Sequence, residues 1–400
     1  MWIKRDLQDH LEETTEKSAL PVQILVGPRQ GGKSALFHQL NQKNFREVSL
    51  DDLQSRQLAE KDPALFLEQN PPPLFVDEAA YAPNLFPQIK LVIDQARRAK
   101  KANSTLFRLT ASNQILFDKR VKESLAGRAS YFRLHPFSLN ELQRAKFDFK
   151  IQEFLFKGGW PELYVNSEID FVSFLNDYIQ TYVEKDVAMV AGIEKLGAFQ
   201  TVLGLLAART GQIMNFDSIS RDAGVTAPAI KDWILILERA SICGLLRPYA
   251  SNLNKRLIRA PKFYFLDTGL ACRLQGHQNQ EPMMKSPQVG PLFETLVLSE
   301  IIKTRDHHRK TWQLFYWRTK DMEEYDFIIS NGQKQVILDA QLSIQSAKPI
   351  HISKSLRRDF PSSQLSLGVV TFGGSFTKIS TDCWQIPVTG LATFLLSELS

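Results

Sequence analysis

Eight consecutive residues constrain this chain more than any other feature: Gly27-Pro28-Arg29-Gln30-Gly31-Gly32-Lys33-Ser34. They fit the spacing G-x-x-x-x-G-K-[ST] and stand between a short apolar run, Val22 to Val26, and a helix-compatible stretch. A strand that ends in such a loop and turns into a helix aims backbone N–H groups and the positive helix end at one point, a cradle for phosphate. Lys33 is placed to reach β- and γ-phosphates and the Ser34 hydroxyl to ligate Mg²⁺, with Ala35 continuing the loop into the helix. Gly27 to Ala35 is therefore the expected nucleotide-binding set. No guanine-reading motif accompanies it, so ATP and Mg²⁺ are the expected cofactors.

Around this loop, apolar strands alternate with helical stretches. Phe45 to Leu50, Leu74-Phe75-Val76 and Thr105 to Thr110 read as further strands. Leu85 to Ala99 repeats apolar residues at Ile89, Val92, Ile93 and Ala96, the stripe of an amphipathic helix. That order predicts an α/β fold with a doubly wound parallel sheet and right-handed crossovers. The third strand runs into Asp77-Glu78: Asp77 is expected in the Mg²⁺ shell, and Glu78 is the expected catalytic base that orients or deprotonates water. The fourth ends in Thr110-Ala111-Ser112-Asn113, where Ser112 (first choice) or Asn113 would position water against the γ-phosphate. Arg128, with Arg133 as the alternative, is the candidate cation for charge on the transferring phosphoryl group.

The bulk numbers fit this reading. Four hundred residues predict two to four domains, and 44% hydrophobic with 23% charged residues describes a globular chain. The sequence has no apolar run of bilayer length and no signal peptide, so no membrane partner is expected. Cys243, Cys272 and Cys383 form neither a zinc pattern nor a disulfide framework, which points to the reducing cytoplasm. A net charge of +6 permits nucleic-acid binding without requiring it.

Together these residues resemble a prokaryotic family of AAA+-like ATPases with a C-terminal domain of unknown function. The likeness runs along nearly the whole chain. It includes Leu50-Asp51-Asp52, Tyr81-Ala82-Pro83, Pro136-Phe137-Ser138, Gly158-Gly159-Trp160-Pro161-Glu162, the run Pro261 to Leu270, and Phe293-Glu294. The resemblance implies an AAA+/ASCE-like P-loop NTPase core over 1–150, a helical lid over 151–198 and a winged helix-turn-helix over 199–275. Over 289–400 it implies an α/β restriction-nuclease-like domain. Arg128 would then be an arginine finger, and an oligomer follows if it acts in trans. Gln275 to Gln288, polar and rich in Gln and Pro, reads as a linker.

Two further sites are legible. Phe216 to Ala223, Gly224-Val225 and Thr226 to Ala240 read as helix, turn, helix, with Ile242 to Tyr249 and Arg256 to Leu266 pairing as a wing. Lys231 on the second helix, with Lys255, Arg256, Arg259 and Lys262 in the wing, are candidate DNA contacts of the phosphate-binding kind; a protein partner is the equal alternative. In the last segment Glu294, Asp326 and Asp339 resemble the carboxylates of a PD-(D/E)xK nuclease, with Gln341 where the lysine is expected. Glutamine can hydrogen-bond water but supplies no charge, so the expected site is degenerate. The function read from the sequence is thus an ATPase acting as a switch or remodeller, with an ATP-gated nuclease or a slow nucleotide-switch interaction module as alternatives.

Overall fold

The computed structural model describes residues 2–16, 20–41, 45–99, 104–111, 124–188, 192–249, 260–319, 323–343, 345, 347–360 and 364–400. Among these, the strands form two sheets, of five and nine strands. The first contains β1 (Val22–Val26), β2 (Arg46–Ser49), β3 (Leu74–Asp77), β4 (Phe107–Ala111) and β5 (Ala129–Arg133), in the spatial order β2-β3-β4-β1-β5. Every pairing in it is parallel. With β1 flanked on both sides, Val22, Ile24 and Leu25 are fully buried, each worth about 1.5–3 kcal/mol. The one polar residue of β1, Gln23, is satisfied: its side chain donates to Leu11 O at 2.9 Å and accepts from Arg108 Nε at 2.9 Å.

In this sheet, β5 is the strand that the sequence patterning did not reveal. It lies at the sheet edge, only Phe132 is buried, and Ala129-Ser130-Tyr131-Phe132-Arg133 lacks the apolar run of a central strand.

The second sheet comprises β6 (Gln212–Ile213), β7 (Cys243–Pro248), β8 (Lys262–Phe265), β9 (Gln313–Arg318), β10 (Glu324–Ser330), β11 (Lys334–Gln341), β12 (Gln364–Thr371), β13 (Thr377–Ser380) and β14 (Cys383–Pro387). The helices Phe216–Ala223 and Ala227–Arg239 precede the antiparallel pair β7–β8, and Thr226 caps the second helix. β7 also pairs in parallel with β9, through Arg247 opposite Phe315 and Pro248 opposite Tyr316. One sheet therefore runs from the hairpin into the terminal segment. The expected linker, Gln275 to Gln288, is ordered instead: it contains the helix Gln280–Met284, whose Met283 is fully buried. A single apolar anchor overrides the polar composition. Among the described residues, no helix is long and apolar enough to cross a membrane.

Two motifs far apart in the sequence make one joint. The Asp267 carboxylate accepts from Gly159 N–H (2.8 Å) and Trp160 Nε1 (3.1 Å), and caps the helix Thr268–Leu274 through Leu270 N–H (3.0 Å). Gly158 has φ 75°, and a Cβ there would stand 2.1 Å from Asp267 Oδ1. Gly269 packs as closely, its missing Cβ 2.2 Å from Lys157 O. Pro161 and Glu162, directly after the joint, form part of the cleft described next.

Candidate functional site

The loop between β1 and the helix Lys33–Asn41 borders a cleft of about 840 Å³, a volume suited to a nucleotide. Gly27 must be glycine, because a Cβ would lie 2.0 Å from Leu134 O. Gln30 (φ 59°) and Gly32 (φ 90°) take left-handed conformations that curl the loop. Lys33 is buried, and its Nζ donates to Gly27 O (3.1 Å) and Pro28 O (2.8 Å). Burial lowers its pKa to about 8, against the opposing pull of Glu78 and Asp77. Arg29, Gln30, Ser34 and Ala35 also line the cleft, and Trp2, Ile3, Pro161 and Val165 give it an apolar wall.

Asp77 ends β3 beside this loop. Its Oδ1 accepts from Ser34 Oγ (2.7 Å) and from Thr110 Oγ1 (2.5 Å). Thr110 Oγ1 in turn accepts the Glu78 N–H at 3.0 Å. Glu78 is held at φ 52°, a costly conformation for a non-glycine residue, and it lines the same cleft as Asp77. The hydroxyl and carboxylate side by side are hard oxygen donors of the kind Mg²⁺ takes, so the residues fit that ion. Ser112 and Asn113 lie outside the described residues. Thr110 is the strand-end residue that touches Asp77. The sequence showed it in the same motif, but a buried threonine inside an apolar strand carries no signal of that role.

Arg128 requires a correction. Its carbonyl accepts from Val22 N–H at the start of β1, whereas the loop leaves the other end of that strand. Five strand residues span roughly 16 Å, beyond the reach of an arginine side chain to the phosphates of its own chain. The Arg128 guanidinium grips Asp94 instead, at 2.9 and 3.0 Å, and holds that carboxyl below its usual range. Arg133 pairs in register with Val26, at the loop end.

The terminal segment does gather the expected carboxylates: Glu294 from the long helix Val289–His307, Asp326 from β10 and Asp339 from β11. Asp326 N–H donates to Asp339 Oδ1 (3.2 Å), and Asp326 Oδ2 accepts from Ala340 N–H (2.9 Å). The sequence reading missed what fills the centre. Lys262 Nζ, on β8, lies 3.1 Å from Glu294, 2.7 Å from Glu324 and 3.5 Å from Asp326. Burial works against that ammonium, but Glu294, Asp326 and Glu324 outweigh it and raise its pKa above the ordinary value. Burial and then Asp326 push both Glu294 and Asp339 up to about 7. Lys262 was expected to contact phosphate from the wing; it is buried and committed to these carboxylates. The ammonium competes with any divalent cation for these oxygens, and it also brings to the cluster the charge that Gln341 lacks. Gln341 is turned to the backbone of Lys348, accepting at 3.0 Å and donating at 3.1 Å, rather than toward a water-activating position.

Of the candidate DNA contacts, Lys231 is exposed on the helix Ala227–Arg239, its ammonium 5.0 Å from the Phe216 ring centre. Lys255, Arg256 and Arg259 lie outside the described residues.

Three family models match along the chain. Residues 20–143 match a family described as an AAA domain. Residues 148–281 and 289–388 match two families described as domains of unknown function, DUF8612 and DUF4143. An uncharacterized protein of Mycobacterium tuberculosis is 26% identical over 406 residues, covering 99% of this chain and 87% of that one. An uncharacterized protein of Methanocaldococcus jannaschii is 22% identical, covering 90% and 84%. A Walker-type ATPase of Pyrococcus abyssi gives a TM-score of 0.41 at 17% identity, over 68% of this chain and 95% of that one. The chain is an AAA+-like P-loop ATPase with a C-terminal DUF4143 domain.

Proposed function

We propose that this ATPase binds Mg-ATP in the cleft at Lys33 and uses its hydrolysis as a conformational switch on a macromolecular partner. The observation that carries the reading is the contact of Ser34 Oγ with Asp77 Oδ1 at 2.7 Å, directly beside the phosphate loop. Ser34 and Asp77 would hold the magnesium ion, whose charge would offset that of the β- and γ-phosphate oxygens when bound. Lys33, released from Gly27 O and Pro28 O, pairs with the same phosphates. Glu78 accepts a proton from, or orients, the attacking water. Thr110 holds Asp77 and the Glu78 backbone in register, so loss of the γ-phosphate is felt at both.

The output runs through the segment 151–198 and the helix–hairpin unit 199–275, read as a helical lid and a winged helix. Duplex DNA is the first partner to test, through Lys231 and the basic residues at 255, 256 and 259. For the nuclease alternative, Gln341 brings no charge but the ammonium of Lys262 stands among the carboxylates, and cleavage of DNA with Mg²⁺ or Mn²⁺ is its test. Glu78→Gln tests the hydrolytic role: Mg-ATP affinity should stay at the wild-type value while turnover falls at least about 10²-fold, the usual worth of a general base. Unchanged turnover would refute it. ATP turnover measured with and without duplex DNA tests the partner, with stimulation expected.

A further inference from the structure

Arg5 belongs to no motif, yet its guanidinium joins the phosphate loop to the rest of the molecule. The residue is 2% exposed. Nη1 donates to Gly31 O at 3.1 Å, Nε to Glu141 Oε1 at 3.0 Å, and Nη2 to His135 O at 2.5 Å. The group also lies 4.8 Å from the centre of the Phe137 ring. A buried guanidinium needs such partners, because an unpaired charge out of water is costly. Glu141 supplies the counter-charge. Burial alone would raise its pKa, but Arg5, His307 and the Ser138 N–H hold it at about 2.

The stretch His135–Leu139 is gripped from its other side by the long helix Val289–His307. Glu300 accepts from Leu139 N–H (2.9 Å), and Lys303 Nζ donates to Phe137 O (2.9 Å). His307 Nε2 accepts from His135 N–H (3.1 Å), and Asp306 meets His135 Nε2 at 2.7 Å. Positions 300, 303 and 307 share one helical face. Because His307 Nε2 accepts, its proton is on Nδ1, which faces Glu141 Oε1 at 3.6 Å. The same helix carries Glu294, one of the carboxylates around Lys262. Asp6, Glu141 and His307 come close enough to suggest a metal site, but Arg5 and Arg144 already pair with the two carboxylates.

Gly31 O is the critical acceptor. The peptide joining Gly31 to Gly32 is planar, so fixing its carbonyl on Arg5 also fixes the direction of the Gly32 N–H, a donor that a bound phosphate requires. We propose that Arg5 is a positioning residue for the phosphate loop, setting the Gly31–Gly32 peptide against the stretch on which the long helix docks. Nucleotide binding and helix docking are then coupled, each favouring the other. This rests on the nucleotide reading above.

The test compares wild type, Arg5→Lys and Arg5→Gln with Lys33→Ala as the control for that reading. Melting curves establish which variants fold, and Mg-ATP Kd, kcat and KM are measured for each. Lysine keeps the charge opposite Glu141 but cannot bridge three acceptors in one plane. Arg5→Lys is therefore expected to melt near wild type while binding Mg-ATP about tenfold more weakly, the worth of one charge-assisted hydrogen bond, with Arg5→Gln weaker still. A folded Arg5 variant with wild-type Kd and KM overturns the proposal. If Lys33→Ala also binds as wild type, the nucleotide reading has failed instead. Hydrogen exchange on the wild-type protein needs no variant: saturating Mg-ATP should slow exchange at 135–141 and 300–307 as well as in the loop. Protection confined to the loop would overturn the coupling.

Discussion

Replacing Lys262 by methionine removes a cation but keeps most of the side-chain volume, which isolates the electrostatic part of the acidic joint. The lysine side chain is 5% exposed, and its partners Glu294, Glu324 and Asp326 are 19%, 28% and 22% exposed. Deleting one member of a buried ion pair costs about 3–5 kcal/mol, because the remaining charge stays desolvated. The partial solvent access of the carboxylates places Lys262→Met at the lower end, about 3 kcal/mol. For units of this size 1 kcal/mol moves the midpoint by about 2–4 °C, so a fall of about 6–12 °C is expected at pH 8. The pH dependence carries a sign. Glu294 holds its proton up to about 7 in the folded protein against 4.5 ordinarily, so the folded state binds the extra proton. That contribution to stability is complete below 4.5 and is lost as the pH rises through 7. Without Lys262 the carboxylates must take up protons more readily, so the variant should recover part of its deficit at pH 6. Calorimetric or circular-dichroism melts in EDTA at pH 6 and pH 8 measure both. A midpoint within about 2 °C of wild type at pH 8 would refute the claim that this ammonium neutralises the cluster.

Lys33 gives a second pH signature. Its pKa near 8 in the free protein means that the charged form needed for phosphate is lost above that value. Calorimetric titrations of Mg-ATP should therefore show a Kd that is flat below pH 8 and rises by up to about tenfold per unit above it, with proton uptake on binding. A flat Kd from pH 7 to 9.5 would contradict this. Arg128→Ala separates action within one chain from action between chains: its bond to Asp94 places it far from its own phosphates. Turnover by dilute monomer should stay within about twofold of wild type, since the residue supplies no transition-state contact there. A loss of 10² or more in the monomer would refute that placement.

The candidate nucleotide site was legible because its parts are local. β1, the loop and the helix Lys33–Asn41 are contiguous, and Asp77 is announced by an apolar strand that ends in a carboxylate. What failed to show depends on long-range pairing. β5 is a half-exposed edge strand without an apolar run, and the end of the sheet at which Arg128 falls is fixed by the register of that strand against β1. Lys262 reads as a wing cation until β8 is packed against the helix bearing Glu294 and the strand bearing Asp326. The motifs Gly158-Gly159-Trp160 and Asp267-Thr268-Gly269 belonged to the family resemblance without an evident purpose. Their shared need for close backbone approach emerges only when Asp267 is seen bonded to Gly159 and Trp160. Polar composition also misled at Gln275 to Gln288, which contains a helix with a fully buried methionine.

The most direct measurement is an equilibrium titration of Mg-ATP, with and without magnesium, into wild type, Ser34→Ala and Asp77→Asn. Saturable binding by wild type at one nucleotide per chain, with magnesium dependence lost in both variants, is the result expected from a cation shared between that hydroxyl and that carboxylate. Equal, magnesium-independent binding by all three, or no binding by any, would contradict it.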